Sequence, residues 1–354
     1  MPNPKNAGNS PTMSYDSFTS PHMGRGRLTF RIVLVCSLLC VGVAYIFFLS
    51  ATRSEQVSVM DAERRSAKQL QSLFSDELDV ALADLQILAE VLQSSGLLDE
   101  NPEIQNAARK RVQHNFLELA KGRRVYDQIR FLDEVGMEQI RVNKAGLEAV
   151  AVGADQLQDK SKRYYFKECI DQPPGGVFVS PFDLNKEFGR IERPLKPMLR
   201  IGRAIIDHNG NKRGVILINY LGADLLAKIS NYSNMDGLLP LLTNQEGYFL
   251  KGLTREDEWG FMFEDGADLT LAQKFPQAWQ HLQEAEEGQF FTERGLFTTC
   301  NLKILHQDGT TARSWHLILL MPTQQLAIVP ASLARVMLAI LGLLLVVIVV
   351  GAWQ

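Results

Sequence analysis

IVLVCSLLCVGVAYIFFLS, the run from Ile32 to Ser50, is almost wholly apolar and follows Arg25, Arg27 and Arg31. A second apolar run, VMLAILGLLLVVIVVGAW, covers Val336 to Trp353 with Arg335 at its entrance, where a long side chain can snorkel to the interface. Each is about the 17 to 25 residues that a helix needs to cross a bilayer core. The long polar stretch between them must then fold on one side of a membrane. Only Arg53 closely follows the first run, so the bias of basic residues places the N-terminus in the cytoplasm and the middle outside. A cleaved signal peptide shares the basic start. Against it, the run exceeds a signal core, and Phe47-Phe48-Leu49-Ser50-Ala51-Thr52 is a poor cleavage site. The ending Val349-Val350-Gly351-Ala352-Trp353-Gln354 has no basic anchor and reads as a cut, so an output segment would follow Gln354.

The formal net charge of −3 gives no basic footprint for nucleic acid. Residues 1–28, rich in Ser, Pro, Asn and Thr at their start, are expected to form a disordered cytoplasmic tail. Cys36 and Cys40, four apart in the first span, read as lipid-facing or helix-packing small residues. Cys169 and Cys300 fall in different modules and are expected to be free thiols.

From Glu55 to Gln93 apolar residues recur at sevens, with Met60, Ala67, Phe74, Ala81 and Leu88 in one row and Leu78, Leu85 and Leu92 in a second. No Gly or Pro interrupts them, which predicts one long stalk helix whose stripe packs on a sheet, on a second subunit, or on both. Ser94-Ser95-Gly96 ends it, and a second amphipathic helix is expected over Glu103–Leu119.

The period then changes from helical to alternating, twice. Asp127–Leu132 and Met137–Asn143 read as a hairpin turning at Asp133-Glu134-Val135-Gly136. A helix is expected over Ser161–Asp171, a short strand at Val177–Ser180, and a loop crossing the strands over Phe182–Lys196. Met198–Ile206 and Val215–Tyr220 flank an Asn-Gly turn. The second half repeats the order: Leu238–Leu242 with Tyr248–Leu250, a helix over Leu269–Ala285, a strand from Phe290, then Cys300–His306 with Trp315–Met321 around Gln307-Asp308-Gly309. The fold class is therefore α/β (α+β): a long membrane-continuous helix and two PAS-like antiparallel modules, flanked by two transmembrane helices. The boundaries are 29–50 for the first span, 51–100 for the stalk, 101–230 for the membrane-distal module, 231–327 for the proximal module and 331–353 for the second span.

That order resembles the double-Cache sensor domains of bacterial receptors. Tyr126-Asp127-Gln128-Ile129-Arg130-Phe131-Leu132-Asp133, Glu138-Gln139-Ile140-Arg141-Val142-Asn143, Lys162-Arg163-Tyr164-Tyr165-Phe166, Ser180-Pro181-Phe182-Asp183-Leu184-Asn185 and Ile191-Glu192-Arg193-Pro194-Leu195-Lys196-Pro197 resemble the branch found in front of histidine kinases and diguanylate cyclases. The resemblance implies a bacterial inner-membrane receptor with a periplasmic sensor region. It also implies a small molecule bound in the distal module and a signal passed through the proximal one. The tyrosine, arginine and tryptophan pattern of the amino-acid-binding branch does not align here. An output-less sensor acting through a partner, and a chemoreceptor input, share the same layout.

The residues point to a pocket independently. Alternation sets Arg141 and Asn143 on one face of their strand and Arg200 opposite Leu199 and Ile201. A buried arginine needs a partner: a carboxylate such as Asp183, Glu187 or Glu192, or the anionic group of a ligand. Of the adjacent Tyr164 and Tyr165, only one is expected to face a given spot. Arg141, Asn143, Tyr164, Tyr165, Asp183, Asn185 and Arg200 are thus the candidate site for a small organic ligand, anionic or zwitterionic. The competing reading makes them an internal network that shapes the loop. Catalytic signals are missing: there is no phosphate-binding Gly loop, and the six histidines lack metal spacing. The expected partners are this ligand, the bilayer, and a second copy through stalk and membrane helices, with no metal, no cofactor, no catalysis and no nucleic acid.

Overall fold

The computed structural model describes residues 22–146, 148–187, 189–232, 237–285, 287–305, 310–326 and 328–353. Most of the expected N-terminal tail and the Gln307-Asp308-Gly309 turn lie outside the described residues. The chain divides into two compact units, Gln56–Ala327 and a second formed by Met1–Glu55 and Ile328–Gln354. In the second unit the described residues are helical.

One uninterrupted helix, α1 (His22–Ser94), carries both the first apolar run and the heptad stretch. Among the described residues one helix, within Arg31–Ser94, is long and apolar enough to cross a membrane. The last helix (Ile328–Trp353) contains a shorter apolar stretch, Ala334–Val350. Ala67, Phe74, Leu78, Ala81, Leu85, Leu88 and Leu92 are all buried, as a seven-residue stripe requires. Gly96, at a φ of +80°, follows the helix end. Helix α2 (Pro102–Gly122) is capped by the Asn101 side chain and buries Ala108, Val112, Phe116 and Ala120 in the same core.

The distal module holds β1 (Tyr126–Asp133), β2 (Glu138–Ala145), β3 (Glu148–Ala151), α3 (Tyr164–Ile170), β4 (Phe178–Val179), β5 (Asp183–Leu184), β6 (Lys186–Glu187), β7 (Arg190–Ile191), β8 (Pro197–Ile206), β9 (Lys212–Leu221) and α4 (Gly222–Asn231). Its main sheet runs β3-β2-β1-β9-β8-β4, with β5 also pairing to β8. The segment expected to be a plain crossing loop is more ordered than that, because β5 extends the sheet and β6 and β7 form their own small hairpin.

The proximal module holds β10 (Leu239–Thr243), β11 (Phe249–Lys251), α5 (Leu271–Lys274), α6 (Pro276–Glu284), β12 (Gly288–Thr292), β13 (Gly295–Leu305) and β14 (Thr311–Pro322). The expected single helix over 269–285 is split, since Pro276 cannot continue a helix from Phe275, whose φ and ψ of −139° and 68° are non-helical. The sheet runs β11-β10-β14-β13-β12. In both modules the strands follow second, first, last, penultimate, third, once the edge strand β3 is set aside. The repeat read from the sequence is therefore a repeat of topology.

Each sheet packs one face on α1. The other face meets a short helix. In the proximal module Phe249, Leu271, Phe275, Phe297 and Leu320 fill that second face. In the distal module Leu132, Tyr165, Phe166, Cys169 and Leu217 fill only part of it. Gly202 permits α3 to approach, because a Cβ there would lie 2.8 Å from Cys169 Sγ. Cys169 and Cys300 are both buried and unbridged.

Candidate functional site

The unfilled part of the distal face is a cavity of about 350 Å³. All seven residues selected from the sequence line it. Gln128, Arg130, Lys160, Arg163, Lys186, Glu187 and Asn219 also contribute. A wider and more open groove of about 1030 Å³, lined by Gln93, Asp99, Arg203 and His208 among others, contains none of the seven. The buried charges belong to the smaller cavity, which makes it the candidate site.

Two guanidinium groups flank one ring. Arg130 Cζ lies 5.7 Å and Arg200 Cζ 5.5 Å from the Tyr165 ring centre, within cation–π range. On the β8 side, Arg200 Nη1 donates to Asp183 Oδ1 at 2.9 Å and to the Tyr164 hydroxyl at 3.4 Å, and Nη2 donates to Asn185 Oδ1 at 3.3 Å. Tyr164 donates to Asp183 Oδ2 at 3.2 Å. Asn185 in turn donates to Glu187 and Glu192. This half of the set is hydrogen-bonded within itself. Burial pushes the Tyr164 hydroxyl up to about 12, with Arg200 opposing and Asp183 adding to the rise.

The β1–β2 side is different. Arg141 Nη1 donates to Glu138 Oε2 at 2.7 Å, and Arg130 Nη1 reaches Glu138 Oε1 at 3.4 Å and the Tyr165 hydroxyl at 3.3 Å. The Gln158 backbone N–H also donates to Glu138, at 3.1 Å. One fully buried carboxylate therefore serves two arginines. Arg130 Nε, Arg141 Nε and Asn143 Oδ1 are buried without a hydrogen-bond partner. Lys160 Nζ donates to Gln158 Oε1. Its ammonium is held below the ordinary lysine value, first by burial and then by the charge of Arg130.

Two expectations need correction. The partner of Arg141 is Glu138, none of Asp183, Glu187 and Glu192. The register slips between Phe131 and Leu132, so Phe131 faces Ile140 while Leu132 faces Glu138. A bulge at Gln139 thus turns Glu138 onto the face of Arg130 and Arg141, which strict alternation forbids. Tyr164 and Tyr165 both face the cavity, their ring centres 5.7 Å apart and edge-on. They open the first turn of α3, after the extended Arg163. Arg130 and Glu138 were missed in the sequence. Arg130 directly opposes Arg141 in a register that the bulge sets; the signal within reach was alternation, since Arg130 lies between Ile129 and Phe131 as Arg200 lies between Leu199 and Ile201.

A helix-backed pair of repeated modules with a charged distal cavity defines the input region of a receptor. Residues 64–312 match the model of the bacterial histidine kinase sensor domain, and the chain belongs to that family. Similar solved structures share the fold. The domain of a protein described as of the sensory box/GGDEF family, from Vibrio parahaemolyticus, is 20% identical with a TM-score of 0.62, covering 78% of this chain and 99% of that one. The extracellular domain of the histidine kinase vpHK1S-Z8 is 20% identical with a TM-score of 0.61, covering 79% and 95%. The ligand-binding domain of the Campylobacter jejuni chemoreceptor Tlp3, in complex with L-valine, is 11% identical with a TM-score of 0.53, covering 78% and 97%. No curated protein matches the chain.

Proposed function

We propose that the distal module binds a small organic molecule in this cavity and that the chain transmits the event across the inner membrane of a bacterium. The observation that carries the reading is the pair Arg130 and Arg141, whose Nε atoms are buried without a hydrogen-bond partner in a polar cavity. The corresponding face of the proximal module is filled with apolar side chains. Arg141, Asn143, Tyr164, Tyr165, Asp183, Asn185 and Arg200 form the site, with Arg130 and Glu138 added. Both ends of the chain are cytoplasmic and the two modules periplasmic, in line with Arg25, Arg27 and Arg31 before the first span. The chain is an input and not itself a catalyst, and a histidine kinase or diguanylate cyclase output would follow the second span. A second copy packs along α1, where Val80 and Ile87, seven residues apart, remain exposed.

The test separates site from scaffold. Arg141→Ala is expected to weaken ligand binding roughly 30-fold or more, as loss of a buried charged partner typically costs about 2 to 5 kcal/mol. Titration calorimetry on the full chain in detergent, beside its melting temperature without ligand, gives both readouts. A sharp loss of melting temperature with unchanged affinity in the folded fraction would make the arginines scaffold.

A route for the signal begins one residue from the site. Phe182 precedes the Arg200 partner Asp183, and its ring meets Trp259 at 5.6 Å and Trp315 at 6.4 Å. Trp315 in turn meets Phe74 of α1 at 5.4 Å. Arg313 of the proximal module also donates to the Val179 carbonyl of the distal one, at 3.0 and 3.2 Å. Phe182→Leu keeps an apolar plug but loses the ring contacts. It is expected to leave ligand affinity within about threefold while reducing the ligand-induced change at a spin label on α1. An unchanged label response would remove Phe182 from the route.

A further inference from the structure

We propose that the ligand of this cavity is a small organic dianion, carrying two carboxylates or one phosphate ester, held at the β1–β2 end by Arg130, Arg141 and Lys160. The inference rests on the sensing role proposed above and adds its chemical class.

The charge balance is the first argument. The cavity is lined by Arg130, Arg141, Lys160, Arg163, Lys186 and Arg200 against Asp183 and Glu187, six cations to two carboxylates. Buried Glu138 behind the two arginines reduces the excess of four to three. The excess is not spread evenly. Arg200 is matched by Asp183 at 2.9 Å. At the other end Arg130 and Arg141 share Glu138, and Lys160 adds a further charge that donates to the neutral Gln158 side chain. Two arginines and a lysine set against one carboxylate leave two positive charges at that end. Arg130 is buried and Arg141 and Lys160 are partly so, and holding such an excess with one carboxylate is costly; a ligand with two negative charges cancels it.

Geometry agrees. Arg130 is only 5% exposed, and its Nε lacks a partner, as does Arg141 Nε. The free N–H groups suit anionic oxygens, which guanidinium groups bind with charge-assisted hydrogen bonds. A zwitterion fits less well, because its ammonium would restore the positive excess that its carboxylate cancels, with the neutral Asn143 Oδ1 as its one free buried acceptor at that end. Asp183 already accepts from Arg200 and Tyr164, Glu187 accepts from Asn185, and Glu138 accepts from both arginines and Gln158. At about 350 Å³ the cavity is at the small end of the roughly 300 to 1,000 Å³ of ligand pockets, so it suits a compact metabolite.

The test uses the full chain in detergent and titration calorimetry with succinate, malate and glycerol 3-phosphate, beside butyrate, alanine and glycerol. At least one dianion is expected to bind, with its charge-depleted counterparts at least about 10-fold weaker, the size of effect of one lost charged hydrogen bond. Whether dicarboxylate or phosphate ester prevails identifies the source. Arg141→Gln should abolish most of the affinity. Because that variant disturbs a buried pair, Lys160→Gln on the half-buried lysine serves beside it, with an expected loss of roughly 10-fold and no change in melting temperature. If no dianion binds, or if alanine or glycerol binds as tightly and Lys160→Gln leaves it untouched, the ligand is not a dianion. Binding of alanine or glycerol that is lost in Arg200→Met leaves the sensing role standing. Absence of any cavity-dependent ligand in a broad metabolite set removes both.

Discussion

Glu138→Ala is expected to destabilise the chain by about 3 to 5 kcal/mol, the usual cost of removing one partner from a buried ion pair. The carboxylate has no solvent exposure and accepts from Arg130, Arg141 and the Gln158 N–H. Without it, two guanidinium groups face one another across paired strands with no counter-charge. For a unit of this size, each kcal/mol moves the melting temperature by about 2 to 4 °C, so a drop on the order of 10 °C should be seen by thermal unfolding. Glu138→Gln keeps the shape and some acceptors. It should cost less, and by making the cavity more positive it should tighten the binding of an anion. A melting temperature within about 2 °C of the parent for the alanine variant would mean that Glu138 does not hold the arginines.

Glu138 also shows where sequence reading stops. The stalk helix was legible because Ala67, Phe74, Ala81 and Leu88 recur at one period without Gly or Pro, and their burial follows from that spacing alone. The two hairpins were legible from Gly136 and the Asn209-Gly210 pair, whose glycines take positive φ. Arg141, Asn143 and Arg200 could be selected because a polar side chain on an otherwise apolar strand needs a partner, and Tyr164, Tyr165, Asp183 and Asn185 from the helix and loop expected beside those strands. Identity of the partner was not accessible. It depends on a single extra residue at Gln139, and a bulge leaves no mark in a pattern of apolar and polar residues. The split at Pro276 was within reach, since the proline is visible, but the apolar period on both sides concealed it. The short strands β5 to β7 bury few apolar side chains and are held by backbone pairing, which composition does not report.

The second large effect concerns α1 beside the proximal sheet. Glu63 is 1% exposed and neither carboxylate oxygen has a hydrogen-bond partner. Burial pushes its carboxyl up to about 8, with the Thr298 hydroxyl opposing weakly. Below about 4.5, the ordinary value, folded and unfolded chains both hold the proton, and Glu63 makes stability no more pH-dependent. Between about 4.5 and 8 the unfolded chain releases its proton while the folded chain keeps it. Stability therefore falls as pH rises through that window and levels off above it. Each pH unit within the window is worth about 1.4 kcal/mol at most, so the whole fall is on the order of 5 kcal/mol. Glu63→Gln should remove this slope. Melting temperatures of both proteins at pH 5, 7 and 9 check it, with the two curves diverging in favour of the variant as pH rises. Parallel curves would show that Glu63 ionises normally in the folded chain.

Entry of a small molecule into the distal cavity is the event on which the sensing role depends. Hydrogen–deuterium exchange on the full chain, with and without the best binder from the calorimetric panel, locates it directly. Slower exchange is expected in residues 156–165 and 183–187 and along β1, β2 and β8, with smaller changes near Trp315 and Phe74. Protection confined to the open groove at Gln93, Asp99 and His208, or to residues 237–326, would contradict it.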